Sequence, residues 1–207
     1  MRSLIAVAAA VFTLAGNIAL AYEQPDYNVI SQTEDYEVRR YEPFVIAETT
    51  VRDDFDGAGS QAFGILAGYI FGKNDKEEKM AMTAPVISSV GENGTERPGD
   101  YEYAFVMEKK YTPASLPLPD DSRIEIRTVP ERILAVRRYS GRWTEKNYRK
   151  HETRLLQALA ADGVATRGEP MLARYNGPFT PWFLRRNEVM IEIEDKTLDA
   201  SQAESSD

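Results

Sequence analysis

The chain has 207 residues with a formal net charge of -8, a single histidine and no cysteine. Zinc fingers, thiol catalysis and iron–sulfur clusters need ligands or nucleophiles that this composition lacks. No basic block offsets the acidic balance, so nucleic acid is not an expected partner, and the acidic surface reads as solubilising.

Arg2, an apolar run from Leu4 to Leu14 and the small residues Ala19 and Ala21 make the pattern of a secretory signal peptide over residues 1–21. Gly16 and Asn17 interrupt the run before it reaches the roughly 20 apolar residues of a spanning helix. The expectation is an exported chain starting at Tyr22, periplasmic or secreted, with no stable membrane insertion. No disulfide supports it, so packing alone must.

Residues 22–35 read as an N-terminal extension. "YEVRRY" (Tyr36–Tyr41) alternates, Glu42-Pro43 makes a turn, and "FVIAETTV" (Phe44–Val51) resumes as a β-branched strand. From Asp56 to Gly72 the spacing of Ala62, Phe63, Leu66 and Ile70 is helical, with Gly72 at the end. This helix is rich in glycine, and each interior glycine costs about 1 kcal/mol of helix propensity. Close approach to a sheet would explain that; so would a flat ligand bounded by Phe63, Leu66, Ala67 and Ile70.

"KMAMTAPVISS" (Lys79–Ser89) and "YEYAFVME" (Tyr101–Glu108) read as strands joined by the turn-rich Gly91–Gly99. That turn contains the glycosylation-type string Asn93-Gly94-Thr95. Met80 and Met82 share one face and read as core, with the floor of a pocket as the sharper alternative. Pro85 removes a ladder donor, which suggests an edge or a bulge.

The order then repeats. "RIEIRTV" (Arg123–Val129) and "ILAVRRYS" (Ile133–Ser140) are paired strands, and Arg142–Gly163 is a helix with Tyr148, Leu155 and Leu159 on one face. "EPMLARYNGPF" (Glu169–Phe179) and "NEVMIEI" (Asn187–Ile193) are the last strands, and residues 194–207 read as a disordered acidic tail. "YEVR" and "IEIR" stand at the same separation as Ala47 and Ala135, the mark of an internal duplication. The predicted fold is α+β, one domain over residues 36–193. Two β-β-α-β-β units, about 36–110 and 122–193, form an eight-stranded, mostly antiparallel, barrel-like sheet with two flanking helices.

The strings "YEVRRYEP", "GYIFGKNDKEEKMAMTAPV", "RRYSGRW", "ARYNGP" and "RRNEV" occur in that order. Together they resemble the SOUL haem-binding protein family, over roughly Tyr36 to Ile193. The resemblance implies a duplicated α+β fold and reversible binding of haem or another tetrapyrrole in an apolar groove, with no agreed reaction. Some members carry a histidine, discussed as an iron ligand, at the position held here by Arg40. An arginine stays protonated and offers iron no lone pair, so binding would rest on apolar contact and on charge to the propionates.

Phe179, Trp182 and Phe183 fall in a proline-punctuated loop followed at once by Arg185 and Arg186. Aromatics beside guanidiniums suit a planar ligand with two carboxylates; the alternative is a loop that caps the core with solvated arginines. His151 lies between Tyr148 and Leu155 on the second helix. It reads as a structural histidine, and as the sole imidazole it is also the conventional metal-ligand candidate. No serine sits in a nucleophile-elbow string and no second histidine completes a dyad, so no enzymatic activity is expected. The rivals are an enzyme acting on a tetrapyrrole or small ester through carboxylates, and an interaction module docking by its aromatic loop. The expected state is a monomer with a small-molecule tetrapyrrole as partner.

Overall fold

Strands and helices follow the order β1 (Tyr27–Gln32), β2 (Glu37–Tyr41), β3 (Phe44–Arg52), α1 (Phe55–Ile70), β4 (Val86–Val90), β5 (Asp100–Val106), β6 (Ile124–Val129), β7 (Arg132–Tyr139), α2 (Glu145–Ala161), β8 (Thr166–Arg174) and β9 (Asn187–Ile193). This computed structural model describes residues 22–90 and 99–194. The signal-type segment, the Asn93-Gly94-Thr95 string and the tail beyond Glu194 lie outside the described residues.

Each helix starts where a side chain accepts from otherwise orphaned N–H groups: Asp54 from Asp56 and Gly57, Thr144 from Asn147. Each stops at a glycine with positive φ, Gly72 at 111° and Gly163 at 66°, a conformation that costs a Cβ-bearing residue. Helix α1 buries Ala58, Ala62, Leu66, Tyr69 and Ile70 against β3 and β5; α2 buries Tyr148, Leu155 and Leu159 against β7 and β9. Truncating Leu66 or Leu155, both fully enclosed, would cost about 2–5 kcal/mol.

All strand pairs are antiparallel and form one sheet in the order β1-β2-β7-β9-β8-β4-β5-β3-β6. Without β1 the order is a palindrome. β2 mirrors β6, β7 mirrors β3, β9 mirrors β5 and β8 mirrors β4, so the duplication in the sequence becomes a pseudo-two-fold between β4 and β8. Each unit lends its first strand to the other: β2 pairs with β7, and β6 with β3. That exchange makes the two repeats one body.

Three details differ from the sequence expectation. β6 and β7, expected to pair with each other, do not: β6 pairs with β3, and β7 lies between β2 and β9. The sheet has nine strands, because residues 22–35 contribute β1 at the edge beyond β2. Five of its six residues are exposed, so it carries no buried alternation to read. Residues 79–85 are not a strand. There the Met80 N–H turns back to the Ile70 carbonyl at 2.8 Å, and regular pairing begins only after Pro85, at Val86.

Both helices cover the same face. Ladder partners run in one row, Ala47–Phe105–Val86–Arg174–Asn187, from the strands under α1 to those under α2. The opposite face folds on itself around Ile46, Ile87, Leu134, Val136 and Met190.

Candidate functional site

The row just traced is apolar until it reaches Arg174. Val86 and Arg174 are directly paired across the pseudo-two-fold, so the centre of the helix-covered face carries a guanidinium where symmetry puts a valine. Around this pair opens a groove of about 760 Å³, within the range of small-molecule sites.

The N-terminal half of α1 forms one wall through Phe55, Asp56, Gly59, Ser60 and Phe63. Met82, Thr83 and Ala84 form an end, and Val86, Tyr103 and Arg174 the floor. Trp143, Tyr175 and the β8–β9 loop from Asn176 to Phe179 make the far wall, with Tyr22 and Phe71 at the rim. Phe63 meets Phe105 edge-on with ring centroids 5.5 Å apart, yet stays 45% exposed. Phe71 and Phe179 are also exposed, so large apolar side chains gather at the mouth of a concave apolar surface. The Arg174 guanidinium lies 5.5 Å from the Phe55 ring centre and 5.6 Å from that of Trp143. Flat aromatic faces on both sides fix its direction.

Of the residues singled out in the sequence, Phe63 and Phe179 line this groove. Leu66, Ala67 and Ile70 belong to the C-terminal half of α1 and are buried in the core beneath it. Trp182 and Phe183 lie in a short 3-10 turn, Trp182–Leu184, packed edge-on to each other at 5.6 Å and about half exposed. They neither wall the groove nor cap the core.

Arg185 is spent on its own loop, donating to the carbonyls of Thr180 and Pro178 and stacking 4.0 Å over Trp143. Arg186 pairs with Glu188 at 2.8 Å and stacks 3.8 Å over Tyr175. Both arginines therefore brace groove-wall aromatics from behind. Arg40 pairs with Glu131 at 3.0 Å and is not part of the wall.

His151 is likewise outside it. Its ring stacks on Tyr139 at 4.1 Å, and burial, helped by Arg137, Lys150 and Arg154, pushes its pKa down to about 4. The methionines divide: Met80 is buried in the α1 core, whereas Met82 lines the groove.

Among the lining residues that the sequence did not single out are Arg174, Tyr175 and Trp143. All three stood inside quoted strings, "ARYNGP" and "RRYSGRW". The available signal was Arg174 two positions after Leu172, a charge in the buried register of a strand.

A tetrapyrrole ring fits this wall better than its iron does. The wall offers a thioether at Met82 and phenols at Tyr22, Tyr103 and Tyr175, but no imidazole. Among the described residues no group of three or more His, Cys, Asp or Glu side chains could hold a metal ion. Nor, among them, is any helix long and apolar enough to cross a membrane.

The family model described as SOUL heme-binding protein matches residues 22–192. Human Heme-binding protein 2 is 31% identical over 176 residues, covering 79% of this chain and 84% of its own. Mouse Heme-binding protein 2 is 28% identical over 191 residues, covering 83% and 90%. Among solved structures the EcmrR C-terminal domain superposes with a TM-score of 0.59 at 11% identity, covering 82% of this chain and 98% of that one, a likeness of fold alone. By the span of the family match and the identity to its human relative, this chain belongs to the SOUL haem-binding protein family.

Proposed function

We propose that this chain binds haem or another tetrapyrrole reversibly in the groove, as an exported carrier or sequestering protein. The observation that carries this reading is an apolar groove of about 760 Å³, walled by Phe55, Phe63, Met82, Trp143 and Phe179, in a member of that family. Those side chains would hold the ring, and bound haem would bring a redox-active iron to a wall without an imidazole. Burial of flat apolar surface supplies most of the affinity.

Iron then contributes little. Iron-free protoporphyrin should bind within about tenfold of ferric haem, a difference of about 1.4 kcal/mol. Absorption titrations of both ligands test this; a porphyrin bound a thousandfold more weakly would show that iron ligation dominates.

Export rests on the pattern of residues 1–21. N-terminal sequencing of the protein from its native source should begin at Tyr22, and recovery of the uncleaved chain from membranes would contradict export.

A further inference from the structure

We propose that Arg174 and Tyr103 form a carboxylate-recognition pair on the groove floor, selecting ligands that join a flat apolar body to a free carboxylate. This rests on the groove being the ligand site and specifies what it prefers.

Tyr103 is 2% exposed, and its buried hydroxyl makes no hydrogen bond of good geometry, with Ser88 and Arg174 as its polar neighbours. The Nε of Arg174 is buried and unpartnered too. Other guanidiniums that reach the interior have an anion: Arg39 and Arg186 share Glu188, and Arg137 pairs with Asp35. Among the described residues no carboxylate pairs with Arg174, which has the Phe55 and Trp143 faces and the Tyr103 hydroxyl beside it. Buried polar groups are left open in this way where something else completes them.

Gly59 shows where that something fits. A Cβ built on Gly59 would lie 3.3 Å from the Tyr103 hydroxyl and 3.5 Å from Arg174 Nη1. Both groups therefore meet at Gly59 in a narrow recess of the groove that all three line, where even a Cβ would be tight against the Tyr103 hydroxyl. A guanidinium fork with a phenol O–H beside it matches the oxygens of a carboxylate. Burial pushes the Tyr103 pKa up against the opposing charge of Arg174, so the phenol keeps its proton and donates.

The test compares protoporphyrin IX with its dimethyl ester on the purified chain, by fluorescence titration, for the wild type and for Arg174→Gln, Tyr103→Phe and Gly59→Ala. The wild type should prefer the free acid by at least about tenfold, the range of a charge-assisted hydrogen bond. Arg174→Gln should abolish the preference, losing at least about tenfold more affinity for the acid than for the ester.

Gly59→Ala narrows the recess while improving helix propensity, so it serves even where Arg174→Gln does not fold. It should lose affinity for the acid and not the ester, and Tyr103→Phe should show a smaller selective loss. Equal wild-type affinity for acid and ester, or a preference that survives both Arg174→Gln and Gly59→Ala, would overturn the pair. If neither porphyrin binds, the tetrapyrrole reading fails. The pair then stands or falls on pyrenebutyrate against its methyl ester: a preference abolished by Gly59→Ala supports it, and equal binding or none overturns it.

Discussion

Arg39 on β2 and Glu188 on β9 meet as a two-pronged ion pair inside the protein, Nη1 to Oε2 at 3.0 Å and Nη2 to Oε1 at 3.2 Å, with the Glu188 side chain fully enclosed. Arg186 adds a second guanidinium, and the Tyr175 hydroxyl donates at 2.7 Å. Since Tyr175 is also a groove wall, this interior charge cluster fixes one side of the site. It also explains why Arg186 is not free to meet a ligand.

Removing the anion should be costly. Glu188→Ala leaves Arg186 without its carboxylate and Arg39 with Glu37 alone, and urea unfolding should show a loss of about 3 kcal/mol. Burial works to raise the Glu188 pKa, but Arg39 and then Arg186 overcome it and hold the carboxyl below its ordinary 4.5. The folded state therefore binds the proton less readily than the unfolded chain. This stabilisation is present above about pH 4.5 and is lost as pH falls through the lower folded value. Wild type should lose more stability than Glu188→Gln across that acid window.

His151 gives a second pH signature. Its pKa is lowered from 6.5 to about 4 in the folded protein, so the unfolded chain takes up a proton first as pH falls. The stability associated with the neutral ring is present above pH 6.5 and drains away towards pH 4. Because the ring is partly exposed, solvent screening reduces the effect to about 1 kcal/mol. Denaturant midpoints at pH 7 and pH 4.5 should converge less for wild type than for His151→Gln. Identical slopes in the two proteins would place the ring in ordinary solvent.

The aromatic residues separate into two functional groups. Phe63→Ala with Phe179→Ala removes groove wall and should weaken tetrapyrrole binding by at least about tenfold, given about 1.5–3 kcal/mol for each aromatic buried by a ligand. Stability should change by about 2 kcal/mol or less, since Phe179 is exposed and Phe63, half-buried, loses its contact with Phe105. Trp182→Ala with Phe183→Ala should leave affinity within about twofold. Parallel haem titrations and urea curves would expose a reversed order.

Much of this fold can be read from the chain because its strands alternate and its helices carry caps. Asn187–Ile193 and the helix stops at Gly72 and Gly163 were readable for that reason. β1 was not, since an edge strand exposed on both sides has no apolar period, and Met80 to Pro85 was mistaken for strand because extended backbone without a ladder looks the same in sequence.

The site was less legible. Phe63 stood out within an apolar helical stripe and Phe179 as an aromatic in a proline-punctuated loop. Leu66, Ala67 and Ile70 share the helical stripe of Phe63, and only the tertiary position of the groove, along the first two turns of α1, separates them. Arg185 and Arg186 were indistinguishable from free cations until their partners, two carbonyls and Glu188, came into view. Arg174 carries one sequence signal, its charge in the register of Leu172, and its place opposite Val86 emerges when β8 is set against β4.

The central claim is that a tetrapyrrole occupies the groove beside the N-terminal half of α1. Ser60 faces it from the helix surface, and its hydroxyl bonds only locally to the Asp56 carbonyl at 3.3 Å. Ser60→Trp would fill the space while leaving the core beneath α1 untouched. In an absorption titration with ferric haem, the wild type should saturate, and Ser60→Trp, folded by circular dichroism, should bind at least about thirtyfold more weakly, roughly 2 kcal/mol. Unchanged affinity in the folded variant would put the ligand elsewhere and contradict the account.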